Sequence, residues 1–248
     1  MASSRATRSG RSPRLTNAGA IERHKEQAAR ASAELASDGM RIGLGTGSTV
    51  SYLLRALAER GLRGVRCVAS SPATERAASS LGLEVSSLEE LGELDVYIDG
   101  ADQIDPAGWL IKGGGAAHTR EKILAVAARR FVVIASAEKS VPELSPPVPL
   151  ELVRFGASST LRLLGDARLR DVPESPDGGL IADYHGPIGD PAPLAARLEA
   201  TPGVVEHGLF PPELVSEILI AGDGGVERRA GRSARRRRAT RTAVRRAR

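Results

Sequence analysis

Residues 41–57, RIGLGTGSTVSYLLRAL, leave a folding chain few options. A short run from Arg41 to Leu44 enters glycines at 43, 45 and 47, and Ser48 then opens a helical pattern that runs to Glu59. Strand, tight loop and helix in that order form a βα unit, in which backbone N–H groups at the helix start are offered to an anion. The G-x-G-x-G spacing is neither the dinucleotide fingerprint nor the Walker loop. In the loop Thr46, Gly47, Ser48 and Thr49, the hydroxyls of Thr46, Ser48 and Thr49 stand beside those amides, a combination suited to a phosphate ester. The plainer alternative is a tight turn whose serine caps the helix.

The same order recurs along the chain. A helix is expected over 17–37, a strand over 64–71, a helix over 72–81 and short strands at 83–85, at Phe131–Ala135 and at Ile218–Ala221. Such alternation predicts a parallel sheet with right-handed crossovers and helices on both faces, its strand C-termini opening on one edge. The segments 46–49, 70–71 and 99–102 each follow a strand and are expected to converge there. Pro142, Pro146, Pro147 and Pro149 mark a linker, after which the texture changes to short elements rich in turns. The expected organisation is an α/β domain over 18–145 with 216–227 and a smaller α+β domain over 146–215. A basic segment, 1–17, and an Arg-rich tail, 228–248, are expected to be disordered.

Charge separates those ends from the body. Of 35 basic residues, four arginines lie in 1–14 and eleven in 228–248, so the remaining 20 face all 30 acidic residues. The body is therefore acidic, and the tail has too little apolar content to bury. Its alternatives are an arm that holds nucleic acid nonspecifically through phosphates or a segment with no partner. Aromatics make up only 3% of the chain, which excludes a stacking platform for bases. Cys67, the one cysteine, excludes a disulfide framework and a cysteine-clustered zinc site, and His24, His118, His185 and His207 lack metal-ligand spacing. No apolar run approaches a membrane span and no signal-peptide pattern follows the first arginines, so a cytoplasmic protein is expected.

The densest chemistry lies in 94–122, LDVYIDGADQIDPAGWLIKGGGAAHTREK. Asp99 and Asp102 flank Gly100 and Ala101 after a strand, where two carboxylates can face one cleft or, more plainly, cap turns. Lys112 precedes Gly113, Gly114 and Gly115. Three glycines are costly to order, and their adjacent N–H groups can form an anion nest beside the lysine charge. Glu121 falls in the first turn of the next helix, where the helix dipole favours a carboxylate.

At these residues the chain resembles the A-type ribose-5-phosphate isomerases. The matching segments are GLGTGST at 43–49, DGADQID at 99–105, KGGGAAHTREK at 112–122, SAEKS at 136–140 and TPGVVEHGLF at 201–210. The resemblance implies a Rossmann-like domain with a smaller, ferredoxin-like α+β lid domain. It also implies interconversion of ribose 5-phosphate and ribulose 5-phosphate without metal or organic cofactor, in a homodimer or tetramer. By position it makes Glu121 the base. Asp99 and Asp102 become ligands of sugar hydroxyls, with Asp99 a candidate for ring opening, and Lys112 with Gly113 to Gly115 holds the developing negative charge. The loop Thr46 to Thr49 completes the substrate site, with Lys139 and Lys25 as cationic contacts. Gln103 replaces a common glutamate, and the tail lies outside the pattern. Two other readings are a sugar-phosphate sensor whose tail contacts nucleic acid, and an amino-sugar phosphate deaminase of similar fold. The DGAD and KGGGA segments favour the isomerase.

Overall fold

The computed structural model describes residues 17–233. In chain order it contains α1 (Asn17–Ala33), β1 (Arg41–Leu44), α2 (Ser48–Glu59), β2 (Arg66–Ala69), α3 (Pro72–Ser80), β3 (Glu84–Val85), α4 (Leu88–Leu91) and β4 (Val96–Asp99). There follow β5 (Gln103–Ile104), β6 (Leu110–Ile111), α5 (His118–Ala127), β7 (Phe131–Ser136), β8 (Val148–Leu152), α6 (Ala157–Leu164) and β9 (Ala167–Leu169). The remaining elements are β10 (Leu180–Tyr184), α7 (Pro191–Glu199), β11 (Val204–His207), β12 (Leu209–Phe210), β13 (Val215–Gly222) and β14 (Gly225–Ala230).

Seven strands form the main sheet in the order β14-β13-β7-β4-β1-β2-β3, parallel except for the antiparallel edge pair β13 and β14. The fully buried runs VYID in β4 and FVVIAS in β7 are what a parallel sheet covered on both faces requires. Alternate residues divide between two cores. Ile42, Leu44, Ile98, Ile134 and Leu219 meet Ala28, Leu53, Leu57 and Ala78 from α1, α2 and α3. Tyr97, Phe131, Val133 and Ile218 meet Leu91 and Leu124 from α4 and α5 on the other face. From β1 the chain moves outward through β2 and β3, then returns to β4 on the opposite side of β1 and continues through β7 and β13. This reversal makes β1 and β4 a topological switch point, where a crevice opens beyond the strand ends.

The second unit runs β8-α6-β9-β10-α7-β11 and forms an antiparallel sheet in the order β11-β8-β10-β9. That connectivity and order are ferredoxin-like, and Val148, Leu150, Leu152, Leu164, Leu194 and Leu198 form its core. A small third sheet, β12-β6-β5, links the two units, with Leu209 and Phe210 pairing to Ile111 and Leu110. These two-residue strands carry too little pattern to be read from sequence. They place Leu209 and Phe210 beside β6 rather than wholly with the smaller unit.

The tail needs a correction. Arg228 and Arg229 belong to β14, and Arg228, Arg229 and Arg232 pair with Glu217, Glu227 and Glu213. Strand pairing with β13 supplies the hydrogen bonds, and Val226 packs on the main core, so low apolar content does not prevent order here. The basic segment before Asn17 and the tail beyond Ser233 lie outside the described residues. No helix among the described residues is long and apolar enough to cross a membrane.

Candidate active site

A small cavity of about 160 Å³ opens at the switch point. Lys25, Thr46, Gly47, Ser48, Thr49, Gly100, Ala101, Asp102, Lys112, Gly113, Gly114, Gly115, Glu121 and Lys139 line it, together with Val50 and Glu138. Every substrate-site residue that the family resemblance implies is therefore on the wall except Asp99. A larger cavity between α4, α5 and the second unit includes none of these side chains.

Asp99 is fully buried, and both its oxygens are engaged within the protein. Oδ1 accepts the N–H groups of Thr46 at 3.1 Å and Gly100 at 2.7 Å. Oδ2 accepts the Tyr97 hydroxyl and the Lys112 ammonium, the latter at 2.7 Å. Asp99 therefore ties the β1 loop, the β4 turn and Lys112 together from behind the cavity. The approach is close enough to require Gly45, because a Cβ there would lie 1.8 Å from Asp99 Oδ1. Asp102 remains on the wall, with Oδ2 accepting the Gly114 N–H at 2.8 Å.

Lys112 follows β6, and its own N–H donates to Gly208 O. Its ammonium donates to Asp99 Oδ2 and to Gly100 O, and lies 3.1 Å from Glu121 Oε2. Burial alone would depress its pKa, but Asp99 and Glu121 outweigh that cost and hold it above the ordinary lysine range. Glu121 is 3% exposed, and apart from the Lys112 ammonium its Oε2 has no hydrogen-bond donor. Burial, reinforced by the negative charge of Asp99 and opposed by Lys112, pushes its pKa up to about 8. The helix position had suggested the opposite direction. Desolvation in this wall prevails over the dipole at the start of α5.

The loop after β1 presents a different surface. Gly47 is the N-cap of α2 and supplies no side-chain cap, so the first-turn amides are left for an external acceptor. Ser48 and Thr49 stand beside them. The Thr46 hydroxyl turns away, to Ser70 Oγ at 2.7 Å and Ser71 Oγ at 2.9 Å. Ser70 and Ser71 thus converge on the loop, as expected, as supports rather than as wall. Lys25 enters from α1, its ammonium 2.7 Å from Glu22 Oε1, and Lys139 follows β7. Gln103 sits apart. Its amide donates to Ser145 O and accepts Ser145 N–H, each at 2.8 Å, a two-way bond that an ionised glutamate could not make.

Tyr97 and Arg170 were not singled out in sequence. Tyr97 carries a legible signal, a phenol two residues before Asp99 and hence on the same strand face. Arg170 carries none, since the loop carbonyls it holds are 56 and 57 residues away. Among the described residues no group of three or more His, Cys, Asp or Glu side chains is placed to hold a metal ion.

Residues 66–225 match the family Ribose 5-phosphate isomerase A (phosphoriboisomerase A). The chain belongs to this family. Ribose-5-phosphate isomerase A of Caulobacter vibrioides is 45% identical over 219 residues, covering 82% of this chain and 96% of that protein. The crystal structure of ribose 5 phosphate isomerase A from Neisseria gonorrhoeae superposes with a TM-score of 0.81 at 33% identity, covering 85% of this chain and 97% of that one. A D-ribose-5-phosphate isomerase structure in complex with phospho-erythronic acid gives a TM-score of 0.79 at 32% identity, covering 85% of this chain and 99% of that one. The α/β architecture with its additional antiparallel sheet is that of the family.

Proposed function

We propose that this chain interconverts ribose 5-phosphate and ribulose 5-phosphate, with Glu121 carrying one proton between C2 and C1 through an enediolate. Family membership supports the reaction, and the cavity wall supports the division of labour. The observation that carries the assignment is a buried carboxylate whose Oε2 has no neighbouring donor other than a cation 3.1 Å away, both residues on the wall of a polar cavity.

In the open-chain aldose, the ionised Glu121 takes the proton from C2. The electron pair left behind forms the C1–C2 double bond, and charge moves to the carbonyl oxygen. Lys112 is the electrophile for that oxygen. When Glu121 becomes neutral, the third ammonium donor loses its ionic partner and is free to turn to the new oxyanion. Return of the proton to C1, with transfer of the hydroxyl proton from O2 to O1, gives the ketose. A base that is too acidic holds the carbon proton weakly, so a raised carboxyl pKa suits the task. Asp102, held by the Gly114 N–H, and the amides of Gly113 and Gly115 bind the sugar oxygens. The phosphate lies at the start of α2, on Ser48, Thr49 and the first-turn amides, with Lys25 and Lys139 supplying charge. The reading includes a homo-oligomer in the cytoplasm: Phe155, 92% exposed, and the half-exposed Val153 and Val205 present apolar surface, and Cys67 is a buried free thiol.

The purified full chain should convert ribose 5-phosphate to ribulose 5-phosphate in EDTA, while free ribose turns over at least ~100-fold more slowly for want of the phosphate contacts. Binding without turnover would instead indicate a sugar-phosphate sensor.

A further inference from the structure

The cavity wall is completed by a residue that does not touch the cavity. Arg170 follows β9 in the ferredoxin-like unit, its backbone held by Ile181 O at 2.9 Å. Asp183 on β10 takes two of its donors, Nε at 2.8 Å and Nη2 at 2.5 Å. This fork fixes the guanidinium plane and leaves Nη1 aimed at the glycine loop. Nη1 donates to Gly113 O at 3.0 Å and to Gly114 O at 3.2 Å.

Those two carbonyls decide where the loop's N–H groups point, because the C=O and N–H of a trans peptide face opposite ways. Gly113 O accepts both Arg170 and the Ala116 N–H, the latter at 3.0 Å, so the Gly114 N–H is turned to the other side, where Asp102 Oδ2 accepts it at 2.8 Å. With Gly114 O held as well, the Gly115 N–H is turned away from Arg170, and Gly115 lines the cavity. Consecutive glycines have little intrinsic preference among backbone conformations, so a peptide flip here meets no side-chain resistance. Arg170, which spans both carbonyls and is the partner of Gly114 O, joins the Ala116 turn in removing that freedom.

We infer that Arg170, held by Asp183, is a positioning residue that sets the glycine-loop amides and Asp102 for the reaction from the neighbouring unit. The inference rests on the proposed isomerase reading and adds that the ferredoxin-like unit contributes to catalysis through backbone orientation. A merely structural bridge between the units makes a different prediction. Arg120 on α5 forms a comparable two-pronged ion pair with Asp177 of the second unit, both prongs at 2.7 Å, and neither residue lines the site cavity. Breaking that pair weakens the same junction without disturbing the loop.

The test is steady-state kinetics of the full chain with ribose 5-phosphate for Arg170→Ala, Arg170→Lys, Asp183→Asn and Asp177→Asn, with melting temperatures alongside. Arg170→Ala should lower kcat about 30-fold with KM within about threefold, because transition-state donors are lost while the phosphate contacts stay. Arg170→Lys, which supplies a charge without the fork, should fall between, about tenfold below the unaltered chain. Asp183→Asn should lower kcat about threefold, and Asp177→Asn should leave it within about twofold. A kcat for Arg170→Ala within twofold of the unaltered chain overturns the inference, as does an equal loss in Asp177→Asn. Should Arg170→Ala not fold, Arg170→Lys decides: a tenfold lower kcat at unchanged melting temperature supports positioning, and an unchanged kcat overturns it. An inert unaltered chain would refute the isomerase reading itself, a result separate from these.

Discussion

Two glutamates are buried to nearly the same degree, one in each unit, and their surroundings differ. Glu151 on β8 is 2% exposed, and hydroxyls answer both its oxygens: Ser175 donates to Oε1 and Thr119 to Oε2. Glu121 on α5 is 3% exposed and lines the cavity, yet its buried Oε2 has only the Lys112 ammonium nearby. Burial by itself therefore does not make a base. A carboxylate whose oxygens are satisfied within the protein is part of the scaffold, whereas one left short of donors beside a cavity is available for a proton. Asp99, with four donors, belongs with Glu151 in this respect although it stands in the active site.

The strongest way to break the contrast is to remove the cation that distinguishes the two sites. Lys112→Met leaves Asp99 and Glu121 without their counter-charge. It should lower kcat about 100-fold and cost ~3–5 kcal/mol of stability in denaturant unfolding, the usual consequence of stranding buried charge. An activity within tenfold of the unaltered chain would remove Lys112 from the chemistry.

The pH dependence is next in size. Glu121 must be ionised to accept a proton from carbon, and its pKa is pushed up to about 8. The free enzyme's kcat/KM should therefore fall as pH is lowered below about 8, tenfold per unit at the acid end. The linkage has the matching sign. A carboxyl with a raised folded-state pKa stabilises the fold most below its unfolded value and loses that contribution as pH rises through the folded value. Glu121→Gln, which cannot ionise, should thus melt no lower than the unaltered chain at pH 9.

Glu151→Gln sharpens the comparison from the other side. It should keep kcat within about twofold while costing about 1–2 kcal/mol of stability through its mismatched hydroxyl partners, read from thermal unfolding. A loss of turnover without a loss of stability would show that the two glutamates are not different in kind. The smallest effect is expected at the C-terminus. Truncation after Ser233 should change neither kcat nor melting temperature, whereas truncation after Glu227 removes half of β14 and should lower the melting temperature by several degrees.

What the sequence disclosed was local. Gly43, Gly45 and Gly47 beside hydroxyls, the aspartates of DGAD, Lys112 with its glycines and Glu121 at a helix start each lie within a dozen residues of their neighbours, and the strand-helix rhythm brings them to one edge. The ferredoxin-like connectivity followed only from resemblance, since short antiparallel strands carry weak periodicity. Arg170 was invisible because its meaning depends on two carbonyls contributed from another unit. The inward turn of Asp99 depends on Tyr97 and Lys112 closing around it. The direction of the Glu121 shift likewise needed the packed wall, because a helix start favours ionisation and desolvation opposes it. Arg228 and Arg229 misled by composition alone: an edge strand tolerates charges on its solvent side as long as its backbone is paired.

The central claim is that Glu121 handles the carbon-bound proton. It is tested most directly by following ribose 5-phosphate in deuterated water with the unaltered chain and with Glu121→Gln, scoring both ketose formation and deuterium entry at C1 and C2. The unaltered chain should turn over with deuterium entry at those carbons. In Glu121→Gln both should fall at least ~100-fold, with inorganic phosphate still competing for the site at a Ki within about threefold. Deuterium entry or isomerisation that persists in Glu121→Gln at rates near those of the unaltered chain would contradict it.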